Sequence, residues 1–290
     1  MLLTIFTPTY NRSYTLPVLY ESLITQSCLD FEWLIIDDGS TDDTKRLIDS
    51  WILQNKIKIT YFYKVNEGMH SAHNKAFELI TTDFNMCIDS DDFVAKDAIE
   101  KIYINIKNLP KHCAGIIGLD ADKNGSIIGT KIPEHLEYIK LNELYSLHKV
   151  KGDKKMVYRT EIVKLYPSYP IFNGERFVPL DYLFLLIDQD YDLKVVNEIF
   201  CVVEYLDDGS TNNIYKQYRI NPNGFAFSRV SRINLAKTFN ERFKNAIHLV
   251  SSSIFSKRFS WIFSSKKTVL VFMAIPFGIA SNLFIRYKTK

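Results

Sequence analysis

Cysteine is scarce in this chain, and its placement says more than its number. Cys28, Cys87, Cys113 and Cys201 show neither metal-ligand spacing nor a paired disulfide framework, which predicts reduced thiols in a cytosolic setting. No Gly-rich loop of the dinucleotide-binding or P-loop kind follows any apolar run, so an oxidoreductase or a kinase would lack its phosphate cradle. Internal repeats and low-complexity linkers are absent too. Met1 to Phe6 is too short for a signal-peptide core, has no basic lead and runs directly into Thr7, Pro8, Thr9 and Tyr10, so export by this end is not expected. Acids are nearly missing from the C-terminal stretch: from Arg229 to Lys290 there are 12 Lys and Arg against the single Glu241.

What is present is an ordinary globular composition. With 290 residues, 47% hydrophobic and 24% charged, the chain can bury one large core or two modest ones. The formal net charge of +3 conceals a local +11 in the last stretch and −8 over residues 1–228. An acidic body with a basic tail predicts a tail that meets something anionic, either a membrane surface or nucleic acid, while the body does not look like a nucleic-acid binder. The composition shift near Phe225 sets the one expected boundary, dividing residues 1–225 from a basic helical segment over 226–290.

Periodicity then places the elements. Leu2 to Phe6 reads as a buried strand stopped by Pro8, followed by a helix on Leu16, Leu19, Leu23 and Ile24 with Pro17 in its first turn. Phe31 to Ile36 is a second strand that empties into Asp37, Asp38, Gly39 and Ser40; Thr41 or Asp42 is expected to cap the next helix. Lys58 to Tyr63 is a third strand, and Asn66, Glu67 and Gly68 turn into a helix carrying Ala72, Ala76, Phe77 and Ile80. A fourth strand, Phe84 to Ile88, leads straight into Asp89, Ser90, Asp91 and Asp92. This alternation predicts an α/β fold, a mostly parallel sheet with helices on both faces, and ligands gathered outside the carboxyl ends of its strands. Later signals are weaker: a hairpin around Lys123, Asn124 and Gly125 into Ser126 to Thr130, a helix over Tyr182 to Ile187, a strand over Phe200 to Tyr205 and a turn at Asp207 to Ser210.

Three carboxylates at a strand end cannot stay unpaired in a core, because an uncompensated buried charge costs several kcal/mol. Extended backbone would put Asp89 and Asp91 on one side, where two hard oxygen ligands can face one divalent ion. The plainer reading, that Asp91 or Asp92 caps a helix beginning near Ala95, stands beside it.

Taken together, Thr7 to Arg12, Asp37 to Thr44, Asn66 to Asn74 and the Asp89-Ser90-Asp91 triplet resemble the motifs of a family 2 glycosyltransferase of the GT-A fold, over roughly residues 3 to 210. The resemblance implies an inverting, metal-dependent transfer of a sugar from a nucleoside diphosphate donor, usually UDP-linked, to a glycan or lipid-linked acceptor in bacterial cell-surface polysaccharide synthesis. It implies a donor site of Pro8, Thr9, Tyr10, Asp38, Asn66, His73 and Asp89, with Mn²⁺ or Mg²⁺ on Asp89 and Asp91. The chain departs from the family at His73, where many relatives carry Arg. It departs again at Leu180-Asp181, where the family often has Glu-Asp at the acceptor-side base; this makes Asp181 the first candidate base and Glu175 the second. The role of His70 is left open between donor contact and packing. Two alternatives remain: a membrane-bound subunit that binds a sugar nucleotide without turnover, and a sugar nucleotidyltransferase.

Thr268 to Ile285 is an uncharged run of 18 residues, about 27 Å long as a helix against a hydrocarbon core of about 30 Å. Pro276 and Gly278 interrupt it, and Lys257, Arg258, Lys266 and Lys267 precede it among aromatics. The expectation is a helix or helical hairpin lying in the cytoplasmic leaflet of the inner membrane, with a core helix as the alternative.

Overall fold

The computed structural model describes residues 2–204 and 214–290. The turn expected at Asp207 to Ser210 and the end of the strand expected at Tyr205 lie outside the described residues. The chain forms two compact units: Met1–Asn66 with Ala72–Pro167 and Leu186–Leu206, and Glu67–Ser71 with Ser168–Leu185 and Asp207–Lys290.

The first unit opens with the predicted alternation: β1 (Leu3–Thr9), α1 (Leu16–Ile24), β2 (Phe31–Asp37), α2 (Thr44–Gln54), β3 (Lys58–Tyr63), α3 (Met69–Leu79) and β4 (Phe84–Cys87). There follow β5 (Phe93–Val94), α4 (Ala98–Ile106), β6 (Cys113–Ala121), β7 (Tyr138–Ile139), α5 (Leu141–Ser146), β8 (Lys154–Arg159), α6 (Thr160–Val163), α7 (Asp181–Asp190) and β9 (Asp192–Val202); residues 69–71 of α3 and 181–185 of α7 are assigned to the second unit. The strands lie in the order β3-β2-β1-β4-β8-β6-β9-β5, with β7 on β9. Strands β1 to β4 pair in parallel, as does β6 with β9, while β8 runs antiparallel to both β4 and β6. The parallel character expected of the sheet thus belongs mainly to its N-terminal half.

Strand alternation explains why both faces are covered. Leu3, Ile5, Trp33 and Ile35 bury against α1 and α4, whereas Phe6, Leu34 and Ile36 bury against Ala72, Ala76 and Ile80 beside α3. Trp51 of α2 stacks on Tyr20 at 4.3 Å and on Trp33 at 5.8 Å, closing one edge of the larger core. Each fully buried aliphatic or Phe side chain here contributes roughly 1.5–3 kcal/mol.

Two local expectations change. The segment after Gly125 returns to β6 through one isolated bridge, Ala121 to Ile127, and forms no strand, because the Asp122 carboxylate holds the turn by accepting from the amides of Asn124 and Ser126. The late strand begins at Asp192 rather than Phe200.

The second unit is helical: α8 (Ile214–Ile220), α9 (Pro222–Leu235), α10 (Phe239–Ser256), a 3₁₀ turn over Phe259–Phe263, α11 (Thr268–Met273) and α12 (Ile275–Lys288). Its core is Ala226, Ile233, Ala246, Leu249, Val250, Val271 and Ala274. The boundary expected between 225 and 226 falls inside α9, where Phe225 and Ala226 are both buried.

Candidate active site

Parallel pairing brings the ends of β1 and β2 level, with Thr9 opposite Asp37. The chain then knots the two loops together. The Asp38 amide donates to the Thr9 carbonyl at 2.8 Å, the Asn11 amide to Ser40 Oγ at 2.8 Å, and the Thr41 amide to Asn11 Oδ1 at 2.8 Å. Asn11 takes a left-handed φ of 51° to do so, a conformation Asn tolerates well. The two acids divide the work. Asp37 is fully buried and structural: it accepts from the Ser40 amide at 2.7 Å and from the Tyr61 hydroxyl at 2.7 Å, and burial with that bond pushes the Tyr61 phenol far above its usual range. Asp38 is held by Lys64, whose Nζ lies 2.8 Å from its Oδ1.

Gly39 sits at φ +89°, and a Cβ there would meet the Asn66 amide nitrogen at 2.8 Å, so this loop and the one after β3 touch backbone to backbone. Two buried oxygens in this region, Thr9 Oγ1 and Asn66 Oδ1, have no hydrogen-bond partner among the described residues. Buried acceptors without partners are costly, which marks the place for a donor-bearing ligand. Pro8 is buried within β1 beside this loop, and Tyr10 is exposed just beyond the strand. Asp42 helps close the first loop: burial opposes its ionisation, yet hydrogen bonds from Thr44 and Ser13 outweigh it and hold the carboxyl below its usual range. The N-cap position of α2 belongs to Asp43, whose side chain makes no capping bond.

At the end of β4 the backbone is a turn, not an extended segment: the Asp92 amide donates to the Asp89 carbonyl at 3.1 Å. The alternation argument for Asp89 and Asp91 therefore fails, although both remain half-buried in one turn. Capping by Asp91 or Asp92 fails as well, since α4 starts at Ala98 with Asp97 at its N-cap. Asp92 points inward. Its Oδ2 lies 3.7 Å from Lys155 Nζ and 3.7 Å from Cys201 Sγ, and burial, with Asp89, Asp91 and Asp120 nearby, pushes its carboxyl up to about 7 against the pull of Lys155. Asp120 on β6 is likewise raised by burial, as are the thiols of Cys87 and Cys201. Burial works against the charge on Lys155, but Cys201, Asp120, Asp92 and Asp89 overcome it and raise its ammonium well above the usual range. One lysine is thus the internal counterion of an acidic pocket.

His73 is buried, with Nε2 3.7 Å from Cys87 Sγ and its ring edge-on to Phe6 and Phe77 at 5.0 and 5.8 Å. His70, in the first turn of α3, is buried as well. Just before that turn, Gly68 (φ +97°) would put a Cβ 1.9 Å from the Arg176 carbonyl oxygen, so no other residue fits.

The candidate bases lie in the second unit. Asp181 opens α7 and forms an ion pair with Arg232 of α9. Glu175 is committed elsewhere: Oε1 accepts from the Asn223 amide at 2.9 Å and its side chain at 2.7 Å, and Oε2 from the Gly224 amide at 2.8 Å. It satisfies the open amides at the start of α9, a capping role that leaves Asp181 the first candidate base.

A divalent cation is implied by the resemblance, and the donor set permits a test. No group of three or more His, Cys, Asp or Glu that could cage a metal occurs among the described residues. Two half-buried carboxylates in one turn suit a hard ion such as Mg²⁺ or Mn²⁺ that keeps most of its positions for water and phosphate. The donor-side residues expected from sequence lie at or just beyond the ends of β1, β2, β3 and β4, except that His73 is packed inside. Lys64, Lys155 and Asp120 were missed, and Asn11 was named only as part of the Thr7 to Arg12 motif. For Lys155 the available signal was a charged pair opening an apolar run, Lys154-Lys155-Met156-Val157-Tyr158.

Residues 4–166 match the family profile described as Glycosyl transferase family 2. Chondroitin synthase of Escherichia coli is 34% identical over 128 residues, 44% of this chain and 18% of that enzyme. The teichoic acid poly(glycerol phosphate) polymerase of Staphylococcus epidermidis is 28% identical over 196 residues, 67% of this chain and 27% of that protein. The chain therefore spans less than a third of the length of these relatives. Among solved structures, S. aureus TarS 1–349 in complex with UDP-GlcNAc superposes with a TM-score of 0.67 at 17% identity, covering 100% of this chain and 91% of that one. The mannosyltransferase PcManGT from Pyrobaculum calidifontis, in complex with GDP-Man and Mn²⁺, gives 0.59 at 13% identity, covering 97% and 87%. At such identities the likeness to these structures is one of fold.

Proposed function

Because the chain belongs to glycosyl transferase family 2 and is a glycosyltransferase, we propose that it moves a sugar from a nucleoside diphosphate donor, UDP-linked, to a glycan or lipid-linked acceptor in cell-surface polysaccharide synthesis. The observation that carries the donor assignment is the polar floor at the strand ends, where Thr9 Oγ1 and Asn66 Oδ1 are buried without partners beside an Asp38 fixed by Lys64. A nucleoside supplies what such a floor lacks: ring N–H and ribose O–H donors aimed at fixed acceptors.

In the proposed reaction Asp38, Thr9 and Asn66 hold the nucleoside, and Asp89 and Asp91 face the diphosphate. A divalent ion bound by them would offset the charge that grows on the departing diphosphate. The acceptor hydroxyl attacks the anomeric carbon as the sugar–phosphate bond breaks, and a carboxylate removes its proton; a single displacement inverts the centre. We assign that carboxylate to Asp181, oriented by Arg232, because Glu175 has both oxygens engaged. Calorimetry with UDP-sugars and Mn²⁺ is the direct test. Asp91→Asn is expected to lose metal-dependent donor binding with its melting unchanged, whereas Asp181→Asn should bind donor normally and lose transfer by about a hundred-fold or more. Donor bound equally well by the Asp91 variant would reject the site.

A further inference from the structure

The last two helices are apolar on the outside. Along α11 and α12 the residues that face the rest of the second unit are Val271, Ala274, Gly278, Asn282 and Ile285, a mostly small set that includes a polar side chain. They dock tightly: a Cβ on Gly278 would lie 2.4 Å from Val250 Cβ, and Asn282 Nδ2 donates to the Ser251 carbonyl at 3.2 Å. The opposite stripe, at three- and four-residue spacing, is Met273, Phe277, Ala280, Leu283, Phe284 and Tyr287, all exposed. Leu283 is 62% exposed and Tyr287 71%. This inverts the arrangement of a helix that meets water, and the tight inner packing leaves no alternative rotation that would hide the stripe.

Charge identifies the occupant. After Glu241 the chain has nine Lys and Arg and no acid. Arg286 and Lys288 border the stripe, and Lys266 and Lys267 stand exposed immediately before α11. On α12 itself Lys288 lies over the Phe284 ring at 5.9 Å, so a cation touches an aromatic ring of the stripe. A second copy docking through this face would bring cations against cations with no acid to pair them. An anionic lipid surface offers phosphate to the border and acyl chains to the stripe. No helix among the described residues is long and apolar enough to cross a membrane. Ala274 separates α11 from α12, and Pro276 sits in the first turn of α12, where its missing N–H does no harm.

The geometry points to a monotopic docking surface: α11 and α12 lie in the interface of an anionic leaflet with the Met273 to Tyr287 stripe inserted. This goes beyond the proposed transfer reaction, and its test reads binding alone. The full chain is sedimented with phosphatidylcholine vesicles and with vesicles that also contain phosphatidylglycerol, with no nucleotide present. Partitioning at least about tenfold stronger onto the anionic vesicles is expected, weakened but not abolished by high salt. The triple variant Met273→Ser, Leu283→Ser and Tyr287→Ser, whose changes all lie on exposed positions, should keep the parent's melting temperature and lose about tenfold or more in partitioning. Equal binding by the triple variant, or no binding by the parent, overturns the proposal. So does a concentration-dependent dimer that the triple variant dissolves while the parent ignores vesicles, an outcome that assigns the stripe to a second copy.

Discussion

Lys155 is the residue that sequence reading had least reason to pick. Its strand, β8, carries no sequence expectation of its own, because its neighbours in the sheet, β4 and β6, are distant in sequence and no local rule brings a lysine to Asp92 and Asp120. The structure makes it the counterion of the pocket beside the proposed cation site. Removing one partner of a buried pair leaves an uncompensated charge, so Lys155→Met is expected to lower stability by about 3–5 kcal/mol, readable by urea denaturation. Donor affinity should fall as well, while Lys155→Arg recovers part of both. A melting curve unchanged by the Met substitution would exclude the counterion role. His248 gives a second, pH-dependent reading. Burial, then the charges of Arg229 and Lys244, depress its ring to about 4 from the ordinary 6.5. The unfolded chain therefore takes up a proton that the folded chain refuses, and stability is lost as pH falls from 6.5 towards 4. The loss is at most about 3 kcal/mol, less because the ring keeps partial contact with water. His248→Gln should flatten that limb of a pH–melting profile; a limb that persists unchanged in the variant would place its origin elsewhere.

At the scale of elements, β1 through β4 and their helices were legible because each carries its own periodicity and its own stop. Pro17 begins α1, Gly68 turns into α3, and Ala72 and Ala76 mark the buried face. The placement of the proposed donor-side residues was legible for the same reason, since they follow strands that local patterns define. What could not be read were features made by distant partners. The acidic stretch after β4 reads as extended backbone but is a turn, and the partners of Glu175 are the amides of a helix nearly fifty residues on. That capping role has a measurable consequence. Glu175→Gln replaces one acceptor oxygen with an NH₂ group facing an amide donor of α9, which should cost about 1–2 kcal/mol. Donor turnover per folded molecule should change by less than about threefold, whereas a hundred-fold loss at full stability would restore Glu175 as a base.

For the whole molecule, the charge boundary near Phe225 and the folding boundary are different things. Charge follows the linear chain, but the second unit is assembled from three separate stretches, and Ser168–Leu185 belongs with the C-terminal helices. Phe172 packs against Phe227 and Trp261 at 6.4 and 6.1 Å, Tyr182 against Phe227 at 4.6 Å, and Asp181 pairs with Arg232. A chain ending at Phe225 would cut α9 after its first turn, and a helical stub of that length does not persist in water. It would strip Phe172 of Phe227 and Trp261 and Tyr182 of Phe227, although Tyr182 keeps Tyr169, a loss of roughly 2–4 kcal/mol from the three aromatic pairs alone, before any exposed apolar area is added. Set against a typical total of about 5–15 kcal/mol, that is enough to leave residues 168–185 unanchored. The truncation at 225 is therefore expected to aggregate or to expose dye-binding apolar surface, and its Asp181 cannot be held by Arg232. Gel filtration and near-ultraviolet circular dichroism decide the matter: a monodisperse 1–225 chain with ordered aromatic signals would show that the basic helices are an appendage, not part of the unit that carries the proposed base.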